Sequence, residues 1–230
     1  MQRGVVPNDL MTAPSLPFLE RSPKQHSSAN PPLIVLLHGR GAEAKTIFSI
    51  QGLVDPRFHV LAITAPYASA IGGFEWFHPK AHAGDEEIDN ADRFGPAEAK
   101  LTADIKLHVE RLHATDSPLF IWGFSQGAAM TLIVGLRGEI KATGIVPMSG
   151  FLPSPIKRWK HWNTSVQALI AHGSRDEVLP AETSRNIQAF LVSKGIVAEY
   201  QEYNGPHKMS LTSIANINDW IKHLSGLEAE

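Results

Sequence analysis

Hydrophobic and polar residues along this chain follow two patterns. One is the continuous apolar run, which is typical of buried strands, and the other is the helical spacing of apolar residues, which is typical of surface helices. Residues 33–37 and 58–64 are largely apolar runs, as expected for strands buried on both faces of a parallel sheet. Over residues 96–113 the apolar side chains instead recur at helical spacing, and Pro96 suits the first turn of a helix. Further strands are predicted over 118–123, 142–148, 166–171 and 198–203, and further helices over 126–136, 181–193 and 211–224.

This alternation of strands and helices predicts the α/β fold class. It indicates a mostly parallel central sheet with helices on both faces, and no large cap domain is evident between the strands. A chain of 230 residues suits a single domain, which we place over 31–230. Residues 1–30 are rich in proline, serine and polar groups, and we expect them to form an N-terminal extension packed on the core. Its apolar piece at 16–19 has the length of an edge strand or of one arm of a hairpin.

The amino-acid composition excludes several kinds of binding partner and several kinds of catalytic chemistry. The formal net charge is only −2, which argues against nucleic acid or an anionic membrane as the main partner. The chain has no cysteine, and this excludes disulfides, a cysteine-ligated zinc and a thiol nucleophile. No secretory signal and no apolar run of membrane-spanning length is apparent, so we expect a cytoplasmic protein without stable membrane insertion. The oligomeric state is not encoded in a readable way, and a homodimer is compatible with the sequence.

Chemically capable residues follow the ends of four predicted strands. In open parallel sheets, ligands bind beyond the carboxyl ends of the strands, so these positions are where a site is expected. The segment Gly-Phe-Ser-Gln-Gly at 123–127 lies between a buried strand and a helix, and a serine on such a turn projects its hydroxyl above the sheet. The motif alone is weak evidence. The other three segments are His-Gly-Arg-Gly at 38–41, His-Gly-Ser-Arg-Asp at 172–176 and Asn-Gly-Pro-His at 204–207.

A serine, an acid and a histidine follow one another at these strand ends. A serine hydroxyl becomes a good nucleophile when an imidazole takes its proton, and a carboxylate on the other ring nitrogen fixes the tautomer. Ser125, Asp176 and His207 have the chain order that α/β hydrolases use. Glu177 is the alternative acid, although the shorter Asp176 side chain better suits a strand-end loop. Gly39 would let the backbone of its loop approach the developing negative charge.

Eleven histidines compete for the role of the base. His207 follows the last predicted strand at a Gly-Pro turn, which makes it the best candidate. We expect His108 and His113 to face solvent from an amphipathic helix, and His172 to be a structural residue at a strand end. His38 is better suited to shape the neighbouring loop through a hydrogen bond than to titrate in catalysis.

Together these segments resemble the phospholipase/carboxylesterase family of α/β hydrolases, which includes acyl-protein thioesterases and small bacterial esterases. The likeness runs from about residue 31 to the end of the chain. It implies that Ser125 is the nucleophile, His207 the base and Asp176 the orienting acid. It also implies an oxyanion hole made by the backbone N–H groups of Arg40 and Gln126. Many relatives have a small or apolar residue at position 40, so a long cation there could alter which acyl or leaving groups enter.

Two segments are candidates for the wall of a substrate pocket. Phe74, Trp76 and Phe77 form an aromatic group in a long polar loop, and relatives place a similar segment beside the active site. Simple packing of that loop is the alternative interpretation. Met148 and Phe151, which follow another strand, are predicted to form a second wall.

The segment 78–92 contains several histidine and acidic side chains, and such a loop could bind a cation. Their spacing matches no ligand motif, so an exposed acidic loop is the simpler interpretation. We therefore predict neither a metal nor another cofactor. The residues concerned are His78, His82, Asp85, Glu86, Glu87, Asp89 and Asp92.

These observations lead to one hypothesis and two alternatives. The hypothesis is a cofactor-free serine hydrolase that cleaves small-molecule carboxylic esters, or thioesters or lysophospholipids, through an acyl-enzyme intermediate. Small to medium acyl chains are favoured because no cap domain is evident. The first alternative is a dienelactone-hydrolase-like enzyme, whose relatives use a cysteine nucleophile that this chain lacks. The second is a catalytically silent binding protein on a hydrolase scaffold, since a fold alone does not fix a function.

Overall fold

The central sheet and its helices alternate along the chain as the sequence predicts. A computed structural model describes residues 16–25, 30–78 and 91–227, except for the side chains of 91–93. The strands are β1 (Phe18–Arg21), β2 (Leu33–Leu37), β3 (His59–Ile63), β4 (Tyr67–Ala68), β5 (Phe74–Glu75), β6 (Leu119–Phe124), β7 (Gly144–Met148), β8 (Gln167–Gly173) and β9 (Ala198–Tyr203). The helices are α1 (Ala44–Phe48), α2 (Ala91–Arg111), α3 (Gln126–Arg137), α4 (Glu182–Ser193) and α5 (Leu211–Leu224).

Within the described residues, the main sheet has seven strands in the order β1-β3-β2-β6-β7-β8-β9. All neighbouring strands are parallel except β1, which runs antiparallel to β3 at the edge. The predicted fold class is therefore confirmed. Register aligns the carboxyl ends of the central strands, because Leu37 pairs with Gly123 and Phe124 pairs with Met148. The loops that follow β2, β6 and β7 consequently leave the sheet side by side.

Two apolar clusters, one on each face, hold the helices on the sheet. Along β2, Leu33, Val35 and Leu37 belong to one cluster, whereas Ile34 and Leu36 belong to the other. Successive side chains of a strand point to opposite faces, so a continuous apolar run supplies both. Helices α2, α3 and α4 contribute to the first cluster, and α1 and α5 contribute to the second.

Three features of the fold differ from the predictions. Helix α2 begins at Ala91, so Pro96 lies inside the helix rather than in its first turn. A proline there lacks one intrahelical hydrogen bond, which is tolerated in the described helix. Helix α1 and the hairpin formed by β4 and β5 were not predicted, because a helix of five residues and strands of two residues are too short to show a period.

The described part of the N-terminal segment joins the sheet. Strand β1 confirms the predicted edge strand, and the Leu16 amide donates a hydrogen bond to Asp104 Oδ2 at 2.7 Å. The Arg21 guanidinium donates to backbone carbonyls of the segment that precedes β3, among them those of Gln51 and Asp55. Residues 1–15 and 26–29 lie outside the described residues, and the boundary at residue 30 stays a prediction. None of the described helices is long and apolar enough to cross a membrane.

His108 contradicts its prediction as a solvent-facing residue. Its side chain is buried, its ring packs on the Phe18 ring in a T-shaped arrangement with 4.4 Å between the centroids, and Arg111 Nη2 lies 2.8 Å from His108 Nδ1. Strand β1 covers this face of α2, which the helical pattern alone could not show. Burial, followed by the positive charge of Arg111, lowers the pKa of His108 to about 4. By contrast, His113 is exposed, as predicted.

This burial predicts a pH-dependent stability. Between pH 6.5 and pH 4 the unfolded chain takes up a proton on His108 that the folded chain does not, so lowering the pH favours unfolding. We expect the His108→Leu variant to lose a slope of up to about 1.4 kcal/mol per pH unit in that window. Urea unfolding at several pH values measures this slope. The matched control is His113→Leu, and equal slopes in both variants would contradict the prediction.

Candidate active site

Ser125 occupies a strained turn between β6 and α3. Its backbone has φ 55° and ψ −116°, a left-handed conformation that non-glycine residues rarely adopt. The Ser125 amide donates a hydrogen bond to the Met148 carbonyl at 2.9 Å, which holds the turn against the end of β7. The hydroxyl does not cap α3, although serine is a preferred residue at that position. The turn thus spares the hydroxyl for another partner.

Two glycines allow α3 to approach the sheet closely at this turn. A Cβ atom on Gly123 would collide with the Gly127 carbonyl, and one on Gly127 would collide with the Leu37 carbonyl. Both contacts would be far inside the van der Waals distance. The helix therefore begins directly against the carboxyl ends of β2 and β6, and this brings Ser125 next to the loop that follows β2.

Asp176 and His207 meet at the neighbouring strand ends. His207 Nδ1 lies 2.5 Å from Asp176 Oδ2, and the Asp176 side chain is fully buried. Asp176 Oδ1 accepts hydrogen bonds from the backbone amides of Val178 and Leu179. Burial by itself would raise the pKa of Asp176, but the Leu179 amide and His207 lower it, so the net pKa lies below its usual value. Glu177, the alternative acid, is exposed.

Backbone contacts fix the loops that carry this pair. A Cβ atom on Gly173 would lie 2.5 Å from the Gly205 carbonyl, so only glycine lets the two loops approach this closely. The Arg175 amide donates to the Gly205 carbonyl at 2.9 Å. The His207 ring in turn packs on the ring of Phe124, with 4.8 Å between their centroids. Phe124 directly precedes Ser125, so the structure brings the predicted serine, acid and histidine to one place.

His172 is a second histidine on the same carboxylate, and its part in the site was not predicted. Its Nε2 lies 3.1 Å from Asp176 Oδ2 and 2.9 Å from the Leu179 carbonyl, and its Nδ1 lies 2.6 Å from Ser184 Oγ. A carbonyl can only accept, so Nε2 carries a proton, and in the neutral ring Nδ1 then accepts from the Ser184 hydroxyl. His172 is fully buried. Its spacing of four residues from Asp176 was the signal in the sequence.

His38 shapes the loop after β2 through the hydrogen bond that was predicted. His38 Nε2 accepts from the Ala65 amide at 2.9 Å, so the proton must lie on Nδ1, which donates to the Gly39 carbonyl at 2.7 Å. Burial lowers the pKa of His38, which favours this neutral form. The same ring therefore fixes the direction of the peptide group between Gly39 and Arg40.

Two backbone donors lie near Ser125, and the peptide direction sets the first of them, the Arg40 N–H. The N–H and C=O groups of a trans peptide point in opposite directions, so the Arg40 N–H faces away from His38. A Cβ atom on Gly39 would lie 3.3 Å from Ser125 Cβ, which places the loop beside the serine. Within the described residues, the backbone N–H groups of Arg40 and Gln126 have no hydrogen-bond acceptor. They are available to a developing negative charge.

Some of the predicted pocket-wall residues are buried and support the neighbouring loops, whereas others are partly exposed. Trp76 is fully buried, and its indole Nε1 donates to the His38 carbonyl at 2.8 Å. The Gln126 side chain accepts from the Trp76 amide and donates to the Phe77 carbonyl. The prediction that Trp76 lines a pocket is corrected, because the residue lies behind the loop and supports it.

The other predicted wall residues are placed as follows. Met148 is also fully buried, so its predicted place in a pocket wall is corrected as well, and its backbone carbonyl instead accepts from the Ser125 amide. Phe77 is buried against the rings of Phe94 and Phe151. Phe74 and Phe151 are partly exposed, so they are the predicted wall residues that a ligand could contact.

A buried carboxylate, missed in the sequence, holds Arg40. The Glu75 side chain is 2% exposed and accepts from Arg40 Nε at 3.2 Å and from Ser69 Oγ at 2.7 Å, with His78 Nδ1 also in contact. Burial would raise the pKa of Glu75, but the hydrogen bonds from Ser69, His78 and Arg40 lower it overall. Glu75 therefore stays ionised beside Arg40.

A cavity of about 250 Å³ opens beside these residues. Its lining includes Gly39, Arg40, Phe124, His207 and Lys208. Among the described side chains, no group of three or more histidine or acidic residues is arranged to hold a metal ion. The acidic positions between 79 and 90, from which a cation site was considered, lie outside the described residues.

Comparison with known proteins assigns the chain first to a fold and then to a family. A crystal structure of esterase PE8 matches with a TM-score of 0.78 and 24% identity, covering 93% of this chain and 100% of that one. This likeness identifies the α/β-hydrolase fold. The family model for phospholipases and carboxylesterases matches residues 22–225. The protein belongs to the phospholipase/carboxylesterase family.

Two curated relatives illustrate the family. An acyl-protein thioesterase 1 from Yarrowia lipolytica is 29% identical over 110 residues, which are 45% of this chain and 48% of the relative. The carboxylesterase SOBER1 from Arabidopsis thaliana is 31% identical over 108 residues, which are 45% of this chain and 47% of the relative. In these alignments the chain spans about half the length of the curated relatives it matches.

The close approach of α3 predicts unequal effects for two glycines. Gly127→Ala should lower the free energy of unfolding by about 1 to 3 kcal/mol, because its methyl group overlaps the Leu37 carbonyl. Gly52→Ala, in the short 3₁₀ turn Ser49–Gly52, is the matched control, since a Cβ atom there meets no described atom within 4 Å. Alanine should raise the stability there by about 0.5 to 1 kcal/mol. Urea unfolding measures both changes, and equal effects would contradict the packing argument.

The second histidine on Asp176 predicts a spectroscopic change. A short hydrogen bond to a carboxylate strongly deshields its proton, so the proton between His207 and Asp176 should give a downfield NMR resonance. We expect His172→Phe to shift or broaden this resonance, and Ser184→Ala to do so less, because the carboxylate loses part of its support. His161→Phe, at an exposed histidine, is the control. An unchanged resonance in folded His172→Phe protein would contradict this role.

Proposed function

We propose that the protein is a serine hydrolase that cleaves carboxylic esters, thioesters included, through an acyl-enzyme intermediate. The observation that carries the proposal is the packing of the His207–Asp176 pair against the strained Ser125 turn. Within the described residues, His207 Nε2 has no hydrogen-bond partner, so it is available to take a proton. The family and the names of the relatives point to the same chemistry.

In the first half-reaction, Ser125 Oγ attacks the carbonyl carbon of the ester, and its proton passes to His207 Nε2. Asp176 is ionised and buried, so it holds the His207 tautomer and stabilises the imidazolium that forms. The carbonyl oxygen becomes an oxyanion between the backbone N–H groups of Arg40 and Gln126. The bond to the leaving alcohol or thiol then breaks, and His207 returns the proton to the leaving group.

In the second half-reaction, water attacks the acyl group on Ser125. His207 takes a proton from the water, a second oxyanion forms in the same place, and the bond to Ser125 Oγ breaks. His207 then returns the proton to Ser125. The net reaction consumes one water and releases a carboxylic acid, and no cofactor enters the balance.

Other parts of the hypothesis stay predictions from the sequence. They are the preference for small to medium acyl chains, the use of lysophospholipids, the small-molecule ester as partner, the cytoplasmic location and a homodimeric state. The partly exposed rings of Phe74 and Phe151 are the described side chains that we propose to contact an acyl group.

Three substitutions test the catalytic roles. With a 4-nitrophenyl ester, Ser125→Ala and His207→Gln should each lower kcat by about 10⁶-fold, and Asp176→Asn by about 10⁴-fold. The losses follow from removing the nucleophile, the base and the correct tautomer. Steady-state kinetics measures the losses, and circular dichroism checks that each variant is folded.

Matched controls exist in the same loop. Ser174→Ala and Glu177→Gln remove an exposed hydroxyl and an exposed carboxylate close to Asp176, and they should retain wild-type turnover. A fluorophosphonate probe should label Ser125, as mass spectrometry of the digested adduct would show. Labelling at another residue, or full turnover by Ser125→Ala, would overturn the proposed function.

A further inference from the structure

The cavity beside His207 has charged side chains of one sign. Its charged lining consists of Arg40 and Lys208, and no carboxylate lines it within the described part of the chain. The rest of the surface is largely apolar, with Ile47, Phe124 and Met209 among its residues. An anionic group that entered this cavity would contact two cationic residues, and the Glu75 carboxylate bound to Arg40 is not part of the lining.

The Arg40 guanidinium is held by a carboxylate that does not line the cavity. The described hydrogen bond of Arg40 is made by Nε to the buried Glu75, and the Arg40 side chain is 33% exposed. Among the described residues, the terminal nitrogens of the guanidinium have no hydrogen-bond partner. These nitrogens form the fork that binds carboxylate or phosphate oxygens.

The ion pair with Glu75 is not required to join the two loops. The Gly41 amide donates to the Phe74 carbonyl, and the Phe74 amide donates to the Ala42 carbonyl, both at 2.8 Å. These backbone bonds already connect the segment after β2 to β5. The buried Glu75 carboxylate, which also accepts from Ser69 and contacts His78, therefore orients the Arg40 guanidinium through Nε.

Lys208, which directly follows His207 in the chain, supplies the second cation of the cavity lining. Its amide donates to the Pro206 carbonyl and its own carbonyl accepts from the Tyr203 hydroxyl, each at 2.7 Å, so its backbone is fixed. The side chain is exposed, and it has no ion-pair partner among the residues described. Arg40, Lys208 and His207 therefore line the same cavity.

The position of His207 decides which part of a substrate this cavity receives. In the proposed reaction, His207 gives its proton to the leaving alcohol or thiol, so the leaving group must lie on the His207 side of the carbonyl carbon. We propose that this cavity is a leaving-group subsite that selects esters and thioesters whose alcohol or thiol bears a carboxylate or phosphate. This inference rests on the proposed serine hydrolase function, and it assigns Arg40 and Lys208 as specificity-determining residues.

The test compares two acetate esters that differ in the charge of the leaving group. The probes are 4-acetoxybenzoate and its methyl ester, and the readout is the ratio of their kcat/KM values. We expect Arg40→Gln and Lys208→Gln each to lower this ratio by about tenfold, because each removes a charge-assisted contact. Differences in intrinsic reactivity cancel when ratios are compared between variants. High salt should lower the wild-type ratio as well.

A control variant separates a local contact from a change in net charge. Lys141→Gln removes an exposed cation just before β7, where the amino ends of the strands lie, whereas the cavity lies at their carboxyl ends. This variant should leave the ratio unchanged. A third probe, 4-acetoxyphenyl phosphate, shows whether phosphate is preferred to carboxylate. If Arg40→Gln and Lys208→Gln change neither the carboxylate ratio nor the phosphate preference, the subsite is wrong.

A second pair of probes places the charge on the acyl side. Mono-4-nitrophenyl adipate and its methyl ester share 4-nitrophenol as the leaving group, and its ring bears neither a carboxylate nor a phosphate. If Arg40→Gln alters the ratio for this pair and not for the acetoxybenzoates, the leaving-group assignment is overturned. Failure of the proposed function looks different, because the wild-type protein would then cleave neither the charged nor the neutral esters and Ser125 would not be labelled.

Discussion

The contact between the start of α3 and the carboxyl ends of β2 and β6 is the constraint on which the site depends. Glycines at 123 and 127 are needed because the Gly127 and Leu37 carbonyls occupy the space of a side chain. This contact forces a sharp turn, and Ser125 takes the strained conformation at its tip. Register between the strands then brings the loops after β2 and β7 beside the same turn. Backbone packing therefore positions the serine before any side-chain chemistry is considered.

Two buried carboxylates organise the electrostatics around that turn. Asp176 faces His207 and His172, and Glu75 faces Arg40, Ser69 and His78. Burying a charge is costly unless hydrogen bonds replace the lost water, and both groups have several such partners. In each case the hydrogen bonds outweigh burial, so the pKa is lowered and the charge is kept. The carboxylates act as fixed anchors, one for an imidazole and one for a guanidinium.

The fold class and the main residues of the candidate site could be predicted from the sequence. Continuous apolar runs predicted β2 and β3, because strands inside a parallel sheet bury both faces. The order of strands and helices then predicted that Ser125, Asp176 and His207 would follow strand ends at one edge. Helix α1 and the β4–β5 hairpin were not predicted, because they are too short to show a period. The exposure of His108 was predicted wrongly, because β1 covers it from a distant part of the chain.

What the sequence determined by itself was the order of the elements and the residues that follow each strand, since local patterning encodes both. Only the tertiary structure decided which of these residues meet. It chose Asp176 over Glu177 for His207, placed His172 on the same carboxylate and put Trp76 behind the site. It also joined Glu75 to Arg40, thirty-five residues apart. Such contacts depend on strand register and loop packing, and these are set by the whole core rather than by neighbours in the chain.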